Sequence, residues 1–447
     1  MEDIIKKIKA SGHNKIRFAI CDIDGVLRSK TISIEKFKMS VEDDISFCDV
    51  LFGWDVNDSC YDNTSFAGWH TGYPDHKAHI DLSTFRTIPW ENKLPYLLAD
   101  FSQKGNEHIP CPRALLKRIY LQAEKLGFSP EFAMEFEWYN FAGTPSQLEA
   151  SGYDQLAPIS PGMFGYSQLR PSQFQNYCDD LFVQMEKFDI QVESFHTETG
   201  PGVYEASLAH NNILKAADNA ALFKAGVKEI ASRHGIIASF MAKWKEDLPG
   251  SGGHIHQSLR SLDNKKNQFS VNNKTLNAVT ESYLAGILTC LPEILPMYAP
   301  TINSYKRLKL GAWAPSTVTW GFDNRTAAVR LICCDPISTR IEMRVPGADS
   351  NPYLAMSACL ASGLYGIKHQ LKLTTPASEG NTYESKGAIL LPESLKESTQ
   401  IMKNSAIAKE LFDASFLEHF IASREWECRE YDKAVTNWEL RRYLEII

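Results

Sequence analysis

The chain predicts an α+β fold in two parts, a small β-rich unit over residues 1–105 and a larger unit over 106–447 built on a mostly antiparallel sheet with flanking helices. Three observations predict it. Arg17–Arg28 reads as a strand, an Asp24-Gly25 turn and a second strand, and short strands with Gly/Pro/Asp turns continue to about residue 105. Pro110-Cys111-Pro112 then precedes a helical pattern with Leu115, Leu116, Ile119, Leu121 and Leu126 on one apolar side. Beyond it, several successive strands have no helix between them, which favours antiparallel pairing.

Taken in order, Ile4, Ile5 and Ile8 share one face of an N-terminal helix whose acids are unlike the positive start of a signal peptide. Residues 132–141 alternate as a strand, 171–187 read as a helix, 190–207 as strands, 210–234 as a long helix, and 236–243 and 253–259 as strands. Helices at 274–297 and 351–369 bracket strands within 315–345, and 392–445 is helical. No repeat or low-complexity segment interrupts this order.

The chain has 447 residues, 44% hydrophobic and 23% charged, which is ordinary globular composition. Its net charge of -7 argues against nucleic acid or an anionic membrane as the main partner. The ten cysteines form no C-x-x-C unit and are expected to be reduced thiols in a cytoplasmic protein. The apolar runs Leu284–Leu291 and Leu354–Leu364 are too short to span a bilayer.

The segment Gly250-Ser251-Gly252-Gly253-His254-Ile255-His256-Gln257-Ser258 is a glycine-rich turn entering a strand, and alternation aims His254 and His256 at one face. Glu135 and Glu137 likewise share a face of an otherwise apolar strand; alone, such a pair is more often an exposed edge than a site. Glu198 and Glu205 flank the Gly200-Pro201-Gly202 turn, where a solvated turn and a functional pair are about equally plausible. Arg340, Glu342 and Arg344 alternate with Ile341, Met343 and Val345, which by itself reads as a surface ion-pair ladder. Arg307, Arg325 and Arg330 add guanidinium forks suited to phosphate and carboxylate. Five carboxylates and His254 form an oxygen-rich donor set, which suits Mg²⁺ or Mn²⁺ better than a structural zinc. The chemistry expected is metal-assisted phosphoryl transfer.

As an ordered set, Glu-x-Glu, Glu-x6-Glu, Gly-Ser-Gly-x-His-x-His-x-Ser, Asn303-Ser304-Tyr305-Lys306-Arg307, Asn324-Arg325-Thr326-Ala327, Arg340-Ile341-Glu342-x-Arg344 and Asn351-Pro352-Tyr353-Leu354 resemble the glutamine synthetase superfamily over nearly the whole chain. The resemblance implies an N-terminal β-grasp domain, a C-terminal catalytic domain, and a homo-oligomer of stacked rings with active sites between subunits. It implies one metal at Glu137, Glu198 and Glu205 and another at Glu135, His254 and Glu342. It places ATP at Glu193, His256, Ser258, Arg325 and Arg330, and substrate at Gly250, Arg307, Arg344 and Trp313, with Arg307, Arg325 and Arg344 as the catalytic arginines. The implied reaction is two-step: ATP phosphorylates a γ-carboxylate, and an amine then displaces phosphate to give an amide.

Departures from the family pattern cluster on the amine side. The family flap Gly-x-Glu-Ala-Pro reads Gly311-Ala312-Trp313-Ala314-Pro315, and an indole is no base but holds a desolvated cation or alkyl chain with about 0.5–2 kcal/mol. The Asp-Gly-Ser-Ser loop is missing, and Asp55, Asp58 and Asp75 are the acids available there for a cationic group. Pro249 stands where the family has asparagine, Val203 replaces a glutamine, and Ile389 occupies the position of a tyrosine that some members adenylylate. The leading expectation is therefore a ligase joining glutamate, or a close analogue, to an amine larger than ammonia. Ordinary glutamine synthesis is the alternative. A non-catalytic sensor or structural relative is a third reading, disfavoured because all six metal ligands are present.

Overall fold

The computed structural model describes every residue except Met1, Gln103, Lys104, Glu107, Leu310, Ala312, Cys334 and Lys386. The expected hairpin is present: β1 (Lys15–Cys21) pairs antiparallel with β2 (Leu27–Ser33). Asp22 fixes its turn by accepting from the N–H groups of Asp24 and Val26 at 3.0 and 2.9 Å. With β3 (Ile45–Cys48), β4 (Asp75–Ile88) and β5 (Leu94–Asp100) these form a five-stranded sheet of order β2-β1-β5-β4-β3. The β1–β5 pair is parallel.

Both faces of that sheet are apolar, and strand alternation separates them. Ile16, Phe18, Ile20, Leu97 and Ala99 close on Phe37, Phe47 and Phe52 in a second core, joined by Ile109, Cys111 and Ala114. Ala19, Cys21, Tyr96 and Leu98 point the other way, into the main core of the chain. A buried ion network crosses the same contact: Arg113 donates to both oxygens of Asp218 at 2.8 Å, to Asp81 at 2.9 Å, and to Asp100.

The helix Pro112–Lys125 buries Leu115, Leu116 and Ile119 as expected, but Leu121 and Leu126 are half exposed. Leu121 lies some 200° around the helix from Ile119, and Leu126 falls beyond the last turn as its C-cap. The expected helix at 171–187 is split at Phe174 into Leu169–Gln173 and Gln175–Lys187.

The larger sheet is organised around the 15-residue β6 (Phe128–Ala142). It includes β7 (Val192–Thr197), β8 (Val203–Leu208), the two-residue β9 (Asn211–Asn212), β10 (Ile236–Ser239) and β11 (Gly253–Ser261). A two-residue hairpin pair, β12 (Val271–Asn272) and β13 (Thr275–Leu276), stands apart from it. β14 (Trp320–Phe322), β15 (Val329–Ile332) and β16 (Arg340–Met343) complete the order β14-β15-β16-β11-β6-β8-β7, with β9 and β10 also pairing β6. All these pairs are antiparallel except β14–β15.

The long helix Ile213–Arg233 packs on β6 and β10. The helices Ala278–Cys290 and Pro352–Lys368 cross in near backbone contact: a Cβ at Gly366 would lie 1.9 Å from the carbonyl oxygen of Ser282. The C-terminal region is helical over 395–404, 406–411, 414–433 and 437–443. Among the described residues no helix is long and apolar enough to cross a membrane.

Candidate active site

The period of two along β6 buries Met134, Phe136 and Trp138 beneath the sheet and leaves Glu135 and Glu137 on its other face. Strand register does the rest. Glu135 lies opposite His254 of β11, and Glu137 lies opposite Glu205 of β8. Glu342 of β16 sits beside His256 of β11 on one side and Arg330 of β15 on the other.

Two donor clusters result. His254 Nδ1 is 3.0 Å from Glu135 Oε1 and 3.6 Å from Glu342 Oε1. In the second, His196 Nε2 is 3.4 Å from Glu198 Oε1 and 3.7 Å from Glu205 Oε2. His196 escaped the sequence reading, although its position two residues before Glu198 on β7 was the available signal. Glu137 borders this second cluster and accepts the Gly252 N–H at 2.8 Å.

The glycine-rich turn is a steric requirement of this arrangement. A Cβ on Gly252 would lie 2.7 Å from His254 Nε2 and 2.8 Å from Glu137 Oε1. One on Gly250 would meet the Ala242 carbonyl oxygen at 2.6 Å and Arg307 Cγ at 2.7 Å.

Crowding of carboxylates sets the electrostatics. Burial, followed by repulsion from Glu135, Glu137 and Glu198, raises the Glu205 carboxyl to about 10. Burial also pushes Glu342 upward, but Arg344, His256 and His254 outweigh it and hold that carboxyl at about 2. Glu135 follows the same pattern, with burial overcome by hydrogen bonds from His254 and His256 that hold it well below the usual range. A nest of this kind demands a proton or a cation at Glu205. Oxygen donors with one imidazole per cluster fit a hard divalent ion.

Beside the first cluster, Glu193, His256 and Ser258 line a cleft of about 650 Å³ together with Arg340. Arg340 donates from Nε to His256 Nδ1 at 3.2 Å, a contact the alternating pattern had not revealed.

A family model described as "Glutamine synthetase, catalytic domain" matches residues 110–443. The chain belongs to the glutamine synthetase family. It is 47% identical over 99% of its length, and 86% of the relative's, to a type-1 glutamine synthetase 2 of Dictyostelium discoideum. It is 38% identical to a glutamate–isopropylamine ligase of a Pseudomonas species, covering 100% of this chain and 98% of that one. A γ-glutamylethanolamide synthetase of Streptomyces coelicolor is 33% identical over 100% and 96% of the two chains. In fold, the chain matches the ADP complex of GmaS with a TM-score of 0.85, at 24% identity and full coverage of both chains. The protein is thus a glutamine synthetase-type, ATP-dependent ligase that forms C–N bonds.

Within this glutamine synthetase family member the arginines are not equivalent. Arg330 bonds Glu342 and Asp323, both at 2.9 Å, and Arg344 pairs with Glu342 while its Nε has no hydrogen-bond partner among the described residues. Glu342 and Arg344 are buried, 1% and 7% exposed, which excludes the alternative of a surface ion-pair ladder. Arg307 is also buried and donates to the carbonyl oxygens of Val345 and Arg344 at 2.8 and 3.3 Å. Arg325 is instead exposed, lining a depression with Asp323 and Asn324, and its charge reaches Tyr166, whose ring stacks on His196 at 4.4 Å.

The amine-side residues are dispersed as well. Trp313 is 66% exposed with a φ of 56°, a left-handed backbone that few bulky residues adopt. Ala312 of the same flap lies outside the described residues. The Pro249 carbonyl accepts the Tyr139 hydroxyl at 2.8 Å. Of the candidate acids, Asp58 is paired with Arg28 at 2.7 Å, and Asp55 accepts the Trp426 indole N–H at 3.0 Å and two backbone N–H groups. Those two carboxylates already have structural partners; Asp75 stays exposed at the start of β4.

Proposed function

We propose that this ligase activates the γ-carboxyl of glutamate, or of a close analogue, as an acyl phosphate and joins it to an amine larger than ammonia. The observation that carries the reading is Trp313, an exposed indole in the flap position where ammonia-using members carry glutamate. Its open face can take an alkyl substituent or a desolvated cation, and it cannot take a proton from ammonium. The names of the Pseudomonas and Streptomyces relatives support the reading.

In this proposal Glu137, Glu198 and Glu205, with His196, hold one divalent cation, and Glu135, His254 and Glu342 hold another. Bound Mg²⁺ or Mn²⁺ would supply charge neutralisation to the phosphates and the acyl-phosphate oxygens. Glu193, His256 and Ser258 hold ATP, aided by Arg330 and Arg325. Arg307 and Arg344 orient the carboxylate, with Gly250 leaving room for it, and Arg344, Arg307 and Arg325 steady the phosphoryl group in flight. The N-terminal sheet is assigned as a β-grasp domain ending near residue 105, and the working form as a cytoplasmic homo-oligomer of stacked rings.

Ordinary glutamine synthesis is the second reading, favoured by the name of the 47% identical Dictyostelium relative. A phosphate-release assay with glutamate, ATP and a panel of ammonia, alkylamines, polyamines and ethanolamine decides between them. Turnover strongest with a substituted amine is expected; robust turnover with ammonia alone overturns the proposal. In Trp313→Glu, gained ammonia use places Trp313 at the amine, whereas unchanged kinetics assign it to packing.

A further inference from the structure

A cavity of about 780 Å³ lies between the inner face of the N-terminal sheet and the helix Ile213–Arg233. Its volume is within the range of about 300–1,000 Å³ typical of small-molecule sites. None of the carboxylates or imidazoles of the two donor clusters lines it.

Lys224 and Lys228 open into this cavity from successive turns of the helix. Neither forms an ion pair with a carboxylate among the described residues: Lys224 Nζ donates to the Ser350 carbonyl oxygen at 2.9 Å, and Lys228 lies over the Phe240 ring at 5.8 Å. The acids of the lining are engaged elsewhere. Asp24 pairs with Arg424, Glu229 accepts the Trp90 indole N–H at 2.6 Å, and Asp349 accepts the hydroxyls of Thr301 and Ser304. Burial, then repulsion from Lys228, lowers the Lys224 ammonium to about 7, and burial lowers Lys228. Asp349 attracts Lys224 without forming an ion pair with it, and an anion between the two ammoniums relieves both their burial and their mutual repulsion. The rest of the wall is largely apolar, with Ile88, Trp90, Phe188 and Phe240 facing the space.

We propose that this cavity binds an organic carboxylate with an apolar body, its anionic head between Lys224 and Lys228 and its body against Trp90 and Phe188. The site is separate from the catalytic one and does not depend on which amine the ligase uses. Ala242 and Asn303 connect the two regions: both line the cavity, the Ala242 carbonyl accepts the Ser251 N–H at 2.9 Å, and Asn303 accepts the Lys243 N–H at 2.8 Å.

Calorimetric titration of the full-length protein with hexanoate, acetate and hexylamine tests the site. Hexanoate is expected to bind, acetate more weakly, and hexylamine not at all. Lys228→Met should weaken hexanoate roughly ten-fold, and Ala225→Phe, which fills the space, should abolish its binding; unchanged thermal unfolding shows that each variant folds. Absent hexanoate binding, equal binding of hexylamine or acetate, or full affinity in both folded variants overturns the proposal.

Discussion

Glu205 and Glu137 stand directly opposite each other in the β6–β8 register, two carboxylates on neighbouring strands. Like charges so placed are destabilising on their own, and this is the strain that a bound ion or proton removes. Because the folded Glu205 carboxyl is raised to about 10, well above its unfolded value, its contribution is most favourable in acid and is lost as pH rises toward 10. Glu205→Gln is expected to stabilise the metal-free protein by about 1–2 kcal/mol at pH 8 while lowering turnover about 100-fold. Thermal unfolding with chelator and a phosphate-release assay measure the two effects; a destabilised, fully active variant refutes both.

Cation uptake should also displace the proton that Glu205 otherwise holds. Calorimetric titration of Mg²⁺ or Mn²⁺ near pH 7, in two buffers of different ionisation enthalpy, is expected to show net proton release, with affinity falling as pH falls. Glu205→Gln should erase that release. Buffer-independent heats in the parent protein would contradict the assignment.

Glu342 behaves in the opposite sense. Its folded carboxyl is lowered to about 2, so the stability it contributes is present above its unfolded value near 4.5 and is lost as pH falls toward 2. Glu342→Gln removes the charge facing both Arg330 and Arg344 and is expected to cost about 3–5 kcal/mol at neutral pH. Urea unfolding measures it, and the difference from the parent should shrink in acid.

Gly252→Ala isolates the packing of the glycine-rich turn. The added methyl would press on His254 and Glu137, so kcat is expected to fall about 10–100-fold. The chain's melting temperature should change little, since only two side-chain tips must move. An unchanged kcat would show that the turn tolerates a side chain.

Arg113 offers a test remote from the chemistry. Arg113→Ala leaves buried Asp218 without its cation and Asp81 and Asp100 with Lys117 alone, and is expected to cost about 3–5 kcal/mol, read by denaturant unfolding. The kinetic constants of the fraction that remains folded should match the parent.

Much of this was legible in the sequence because strand alternation and register are periodic. The spacing of Glu135 and Glu137, of His254 and His256, and of Glu198 across the turn from Glu205 anticipated which of these side chains the strands bring together. What the pattern missed depends on long-range packing. Leu121 looked apolar-facing because its residue type fitted, yet its angle on the helix did not. Arg340, Glu342 and Arg344 gave a surface pattern because alternation cannot say which face of a central strand is covered. His196 and Arg340 acquire their roles only from partners on other strands.

The small sheet has oily surfaces front and back, and one of them is closed by residues 8–101 together with Ile109, Cys111 and Ala114. Severing the chain near residue 105 would leave each fragment with a raw wall, Ala19, Cys21 and Tyr96 on one and their former neighbours on the other. The two units are therefore expected to melt together, as halves of one body that neither can quit.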